Sequence, residues 1–169
     1  MASTVRPPAV AGQFYPGKPE KLLHDIREYT RPADERFHAL GCVVPHAGYM
    51  YSGPVAGALY SALELPDRFV ILCPNHTGVG APLAIMSSGS WVTPLGEVPI
   101  DSVLAEAFKA KFPLLSEDEA AHRSEHALEV QLPFLQALVK EFTFVPIVVG
   151  TGRLDVLQAL GKVIANVIK

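Results

Sequence analysis

Two histidines, His46 and His76, each follow an apolar run that ends in proline. The runs cover residues 40–44 and 69–73. If they are neighbouring parallel strands, both imidazoles lie at the carboxyl edge of one sheet, where open α/β folds bind ligands. Two imidazoles held together suit a metal ion or acid–base chemistry. A strand-end turn with a structural histidine is the alternative for either position taken alone.

Polar side chains surround these two histidines. Tyr49 and Ser52 follow His46 at the predicted start of a helix, where free N–H groups favour anions. Asn75 precedes His76 and offers an amide. We predict Tyr49, Ser52 and Asn75 as substrate-binding residues, with turn formation as the alternative for Asn75. The same crevice suits a second function, a non-enzymatic binding module for a phosphorylated or anionic peptide or small molecule.

A third polar segment covers residues 122–131. In a helix, His126 and Glu129 are three residues apart and share a face. We predict that both point into the crevice of the first two histidines as catalytic residues, with Glu125 binding substrate. The string His122-x-x-Glu125-His126 also matches a zinc-protease pattern, which would place zinc on His122 and His126. The remaining alternative is a solvated polar helix start.

The elements that must position these residues follow from hydrophobic periodicity and turn signals. A strand, a helix and a second strand between residues 39 and 73 predict a right-handed crossover with parallel strands. Asp101 is a candidate helix cap, and Pro133 is expected to kink or split a helix that opens near Ser124. The predicted helices are 18–30, 55–63, 101–112 and 153–168, the predicted strands 39–44, 69–73, 82–86 and 142–149, and residues 91–98 form a hairpin.

Composition restricts the function classes. The 169 residues are 49% apolar and 18% charged with a net charge of −3, which predicts one soluble α/β domain over residues 1–169. This balance predicts neither nucleic acid nor membrane as a partner, and a cytoplasmic location. Cys42 and Cys73 are expected to be buried free thiols. A sheet edge left exposed after the last helix favours a homo-oligomer or an incomplete fold.

Four motifs in order resemble the Memo family, also called the AmmeMemoRadiSam system protein B family. They lie at residues 6–16, 44–53, 73–78 and 125–134. The resemblance implies a fold like that of LigB-type class III extradiol dioxygenases, a three-layer α/β sandwich with a mostly parallel central sheet. It also implies an iron or copper site built from two histidines and one cysteine, and a metal-dependent oxidoreductase activity.

Carried over by motif, His46 and His76 are the metal ligands, and His126 and Glu129 line the pocket. The ligand cysteine belongs to a part of the family that follows residue 169, and Cys42 and Cys73 do not match its place. The resemblance therefore predicts a partial metal site. It also implies a small molecule or peptide as ligand, and radical SAM and AMMECR1-like proteins as partners.

Overall fold

The computed structural model describes residues 4–33 and 35–168. Within these ranges, no helix combines the length and apolarity needed to cross a membrane. The strands are β1 Val5–Arg6, β2 Arg68–Pro74, β3 Leu83–Ile85, β4 Ser90–Thr93, β5 Gly96–Pro99, β6 Ser116–Glu117 and β7 Thr143–Val149. The helices are α1 Pro19–Tyr29, α2 Tyr49–Ser61, α3 Ser102–Lys111, α4 Ala120–Arg123, α5 Leu132–Leu138 and α6 Leu154–Val167, and Glu129–Gln131 form a 3₁₀ turn.

The main sheet has four strands in the order β2-β7-β3-β6. Strand β7 pairs parallel to β2 and antiparallel to β3, and β3 pairs parallel to β6. A smaller sheet of three strands has the order β1-β4-β5 and contains the predicted hairpin, since β4 and β5 are antiparallel. The α/β fold class is therefore confirmed, with one antiparallel pairing inside the main sheet.

Alternating residues of β7 bury opposite faces of the main sheet. Phe144 and Val148 belong to the larger core with residues of α1, α2 and α5, whereas Val145 and Ile147 pack with residues of α3 and α6. Because successive side chains of a strand point to opposite faces, helices must cover the sheet on both sides. This arrangement is the predicted three-layer sandwich.

Most predicted helices and strands are present with their ends shifted by one or two residues, but α2 begins at Tyr49, well before the predicted start at residue 55, so that Pro54 lies inside the helix. The first helix buries Leu22 and Ile26 from its apolar face. Asp101 caps α3 as predicted, because its carboxylate accepts a hydrogen bond from Leu104 N at 2.9 Å. On the same helix the side chain of Val103 is exposed, whereas that of Phe108 lies in the core.

The predicted strand over residues 39–44 is wrong. The segment has no regular structure, and Leu40 and Val43 are 98% and 95% exposed. An apolar run becomes a buried strand only beside a partner strand, and in the described part of the chain β2 pairs with β7 alone. The predicted parallel crossover is consequently absent here. Cys42 is exposed, contrary to expectation, whereas Cys73 is buried, and burial raises the pKa of the Cys73 thiol to about 12.

The helix predicted to open near Ser124 is also wrong. Helix α4 ends at Arg123, and residues 124–128 form an irregular turn before the 3₁₀ turn and α5. Pro133 lies in the first turn of α5, where its missing N–H costs no hydrogen bond. His122 and His126 therefore do not share a helix face.

Candidate metal centre

Three histidines from separate loops converge. His46 lies just before α2, His76 two residues after β2, and His126 in the turn after α4. Each offers a ring nitrogen, and the three nitrogens lie within 4.8 Å of one another. The ring centroids are 5.1 Å apart for His46 and His76, 4.6 Å for His76 and His126, and 5.9 Å for His46 and His126. The structure thus brings His126 to the two histidines predicted as metal ligands.

The histidine cluster (His46, His76 and His126) is partly exposed to solvent. The side chain of His76 is 41% exposed and that of His126 is 21% exposed. Burial lowers the pKa of His126, and the neighbouring imidazoles lower it further against the opposing charge of Glu125. A histidine with a lowered pKa is neutral near pH 7 and keeps a nitrogen lone pair for a metal or a proton.

Glu125 lies behind the cluster with its side chain fully buried. Its Oε2 accepts a hydrogen bond from His76 N at 2.7 Å, and its Oε1 accepts one from Ala127 N at 2.9 Å. The ring Nδ1 of His76 is 2.9 Å from the same Oε1. Burial alone would raise the pKa of Glu125, but the hydrogen bonds from Ala127 and His76 outweigh it and hold the pKa below its usual value. The carboxylate of Glu125, which was predicted to bind substrate, therefore accepts hydrogen bonds from His76 and Ala127 of the protein itself.

Glu129, predicted as catalytic, faces the amino-terminal segment. Its carboxylate accepts hydrogen bonds from Arg6 Nη1 and Ala9 N at 2.8 Å, from Val10 N at 3.0 Å and from the Tyr15 hydroxyl at 2.7 Å. A carboxylate has about four acceptor positions, so these four donors leave none for a substrate. This arrangement gives Glu129 a structural role and does not support the catalytic one.

Arg6 connects this carboxylate to the turn that carries His126. Its Nε donates to His122 O at 2.8 Å, its Nη2 donates to Glu125 O at 3.0 Å, and its guanidinium stacks 3.9 Å from the Trp91 ring centroid. Sequence reasoning included Arg6 in a matched motif but assigned it no role. A buried arginine has no local sequence signal, because its partners lie more than a hundred residues away.

The amino-terminal segment also reaches the cluster itself. The Phe14 ring packs on His126 with centroids 4.6 Å apart, and Phe14 O accepts a hydrogen bond from Tyr49 N at 2.7 Å. One segment therefore contacts both the turn of His126 and the start of the helix that follows His46.

The loop of His46 is fixed through the carbonyls on either side of the histidine. Gln131 Nε2 donates to Pro45 O at 3.1 Å, and Ser52 Oγ donates to Ala47 O at 2.9 Å. The Tyr60 hydroxyl in turn donates to Gln131 Oε1 at 3.0 Å. The hydroxyl of Ser52, predicted to bind substrate, thus donates a hydrogen bond that holds the loop.

The side chains of Tyr49 and Asn75 likewise form hydrogen bonds within the protein. The Tyr49 hydroxyl is buried and donates to Val130 O at 2.8 Å, and burial raises its pKa well above the ordinary value. Asn75 forms a turn, as its alternative interpretation predicted, because its Oδ1 accepts from Gly78 N at 2.9 Å and its Nδ2 donates to Val79 O. Gly78 has a φ of +66°, a conformation that glycine adopts without strain. These contacts do not support the predicted substrate-binding roles or the anion-binding crevice built on them.

The zinc-protease hypothesis for His122 is wrong. His122 is fully buried, its Nδ1 donates to Asp118 O at 2.8 Å, and its ring lies edge-on to Trp91. The group of potential ligands found among the described residues contains His126 but not His122. The two histidines that the pattern pairs therefore belong to different environments.

The sequence is similar to known proteins along most of its length. A family model described as Memo-like protein matches residues 6–169. A MEMO1 family protein of Archaeoglobus fulgidus is 51% identical over 86% of this chain and 54% of its own length. Those of Pyrobaculum arsenaticum and Aquifex aeolicus are 46% and 45% identical over 98% of this chain and over 63% and 62% of their own lengths. The chain thus spans little more than half the length of these curated relatives.

Proposed function

The chain belongs to the Memo-like protein family, and we propose that it is a non-haem metal-dependent oxidoreductase whose iron or copper ion is held by His46, His76 and His126. The observation that carries this proposal is the convergence of three ring nitrogens within 4.8 Å. The three histidines come from loops that are far apart in sequence, and a buried carboxylate supports one of them.

The donor set fits the proposed metals. Imidazole is a ligand of intermediate softness that suits iron, copper, zinc and nickel, whereas magnesium and calcium prefer oxygen. The lowered pKa of His126 favours binding, because a metal must displace a proton from any charged imidazole. His126 therefore supplies, within this chain, a third donor in addition to the two histidines predicted from the sequence.

The metal supplies redox chemistry, and the protein supplies position and access. The side chain of His76 is more exposed than that of His126, so a small substrate would approach from the side of His76. In this proposal His126 is a ligand, so its ring has no nitrogen free to move a substrate proton. Glu129 and Tyr49 support the loops and take no part in binding.

The test is metal content and affinity after anaerobic loading with Fe(II), Cu or Zn. We expect about one ion per chain in the native protein, and loss of that ion in the His46→Ala/His76→Ala variant. His24→Ala is the matched control, because His24 is an exposed histidine on α1 outside the cluster. It should bind as the native protein does.

Oxygen consumption by the iron-loaded and copper-loaded protein with a panel of catechols then tests the redox step. Absence of bound metal in the native protein would overturn the proposal. Retention of zinc with rejection of iron and copper would leave a metal site and contradict the oxidoreductase function.

A further inference from the structure

We infer that Glu125 is a positioning residue that fixes His76 as the Nδ1–H tautomer and so presents the Nε2 lone pair to the metal. The inference rests on the proposed function, since it assigns a supporting carboxylate to that same site. Its basis is the 2.9 Å contact between His76 Nδ1 and Glu125 Oε1.

The chemistry of the pair sets the proton's position. A neutral imidazole carries one N–H, and an ionised carboxylate only accepts hydrogen bonds. A contact of 2.9 Å between Nδ1 and a carboxylate oxygen therefore requires the hydrogen on Nδ1. The other nitrogen, Nε2, is left with its lone pair, and carboxylate partners of metal-binding histidines act in this way.

The same oxygen acts on a second histidine. His126 Nδ1 lies 3.4 Å from Glu125 Oε1. This is longer than a good hydrogen bond, but the negative charge still favours the hydrogen on the nearer nitrogen. One buried carboxylate thus favours the Nδ1–H tautomer of both His76 and His126, which leaves the Nε2 lone pair of each ring free.

The position of Glu125 is itself fixed. The backbone N–H groups of His76 and Ala127 hold its two oxygens, and Arg6 Nη2 holds its carbonyl. Glutamine cannot replace it. An amide NH₂ in place of Oε2 faces the N–H of His76, so that two donors oppose each other. In place of Oε1 it faces the N–H of Ala127 as well as the ring Nδ1, and a hydrogen bond donated to Nδ1 would move the ring hydrogen to Nε2.

The first experiment needs no metal and no variant. Nitrogen-15 spectra of the metal-free protein at a pH of about 8, above the usual histidine pKa, distinguish the two tautomers of each ring. We expect His76 as Nδ1–H alone, beside a mixture for exposed His24. Finding His76 with its hydrogen on Nε2 would overturn the inference. Because no metal is present, this result stands apart from success or failure of the proposed function.

The second experiment measures metal affinity and the visible spectrum with Co(II), in Glu125→Gln and in Asp101→Asn. Asp101 is a buried carboxylate whose contacts, with Leu104 N and Arg68, are made by residues outside the cluster, so its loss lowers stability by another route. We expect a 10–100-fold weaker Co(II) affinity and an altered spectrum in Glu125→Gln only.

Each outcome of this comparison decides the role of Glu125. Equal losses in Glu125→Gln and Asp101→Asn would show that stability alone sets the affinity, and would overturn the inference. Native affinity in Glu125→Gln would do the same. If Glu125→Gln does not fold, the tautomer measured in the native protein decides the question.

Discussion

The two sides of the histidine cluster are built differently. His76 and His126 are supported by buried charged groups, since Glu125 contacts both rings and Arg6 holds the turn that carries His126. His46 follows a segment without regular structure, in which Val43 is 95% exposed, and is fixed through the carbonyls of its neighbours. One side is organised by ionic contacts in the core, and the other by two neutral hydrogen bonds.

This difference predicts where the stability of the fold and the proposed metal binding are coupled. Removing a buried charge leaves its partner unpaired, which costs far more than losing a neutral hydrogen bond. Changes on the side of His76 and His126 should therefore affect folding as well as binding. Changes on the side of His46 should affect binding with a smaller effect on folding.

The largest effect is expected from Arg6→Met, which removes ionic contacts on the side of His76 and His126. The change leaves the carboxylate of Glu129 without its cationic partner and removes the arginine donors to the carbonyls of His122 and Glu125. We expect a loss of about 3–5 kcal/mol in the free energy of unfolding. Urea denaturation followed by circular dichroism measures it.

The control for that prediction is Arg153→Met. Arg153 pairs with Asp155 on the surface, with both side chains about 70% exposed. No measurable change in the denaturation midpoint is expected there. Similar midpoints for the two variants would mean that the buried pair does not support the cluster.

The next effect comes from Gln131→Leu and tests the side of His46. Gln131 is buried, donates to Pro45 O and accepts from the Tyr60 hydroxyl. Its loss leaves that buried hydroxyl unpaired, so we expect about 1–3 kcal/mol of destabilisation. Metal affinity should fall while His76 keeps its tautomer, which affinity measurements and nitrogen-15 spectra check together.

Tyr60→Phe separates the loss of stability from the loss of metal affinity expected for Gln131→Leu. It removes the hydroxyl but keeps the bond from Gln131 to Pro45. We expect a loss of about 1 kcal/mol in stability and unchanged metal affinity. Equal losses of affinity in both variants would show that Gln131 does not position His46.

The sequence predicted the elements whose signals are local. Asp101 followed by a periodic apolar pattern predicted α3, and the run ending at Val149 predicted β7. Residues 39–44 carry the same kind of signal and form no strand, because strand formation depends on a partner that the run itself does not encode.

The site was predicted in part for the same reason. Histidines after apolar runs were visible in the sequence, and His126 was identified by its motif. The roles of Glu125 and Glu129 were not predicted. Their carboxylate oxygens accept hydrogen bonds from residues that are distant in sequence, such as Arg6, and these donors are known only from the folded chain. From the sequence alone, a carboxylate near a site suggests a catalytic role, because the hydrogen-bond donors that occupy its oxygens are not yet known.

A smaller effect on the free energy of unfolding is expected from pH, and it arises on the side of His76 and His126. Burial lowers the pKa of His122 below its usual value. Between that lowered pKa and about 6.5 the unfolded chain binds a proton that the folded chain does not, so stability falls as pH falls through this window. His126, also with a lowered pKa, adds to the slope in the same direction.

His122→Gln should therefore flatten the fall in the unfolding free energy between pH 7.5 and 5 without abolishing it. Each unit by which the pKa of His122 is lowered corresponds to about 1.4 kcal/mol at most. Denaturation curves at several pH values check this. Carboxylates with lowered pKa, such as Glu125 and Asp118, act at more acidic pH and do not obscure the window. A slope equal to that of the native protein would show that His122 does not titrate in this range.

The smallest effect is expected from Val43→Ser, which tests the exposed segment before His46. A side chain that is 95% exposed loses almost no buried area when it is shortened, so stability should change by less than about 0.5 kcal/mol. Val145→Ala in β7 is the matched control, because that valine is fully buried, and about 2 kcal/mol is expected from its lost methyl groups and the cavity they leave. Comparable losses in the two variants would show that residues 39–44 pack against the sheet in solution, and would remove the difference between the two sides of the cluster.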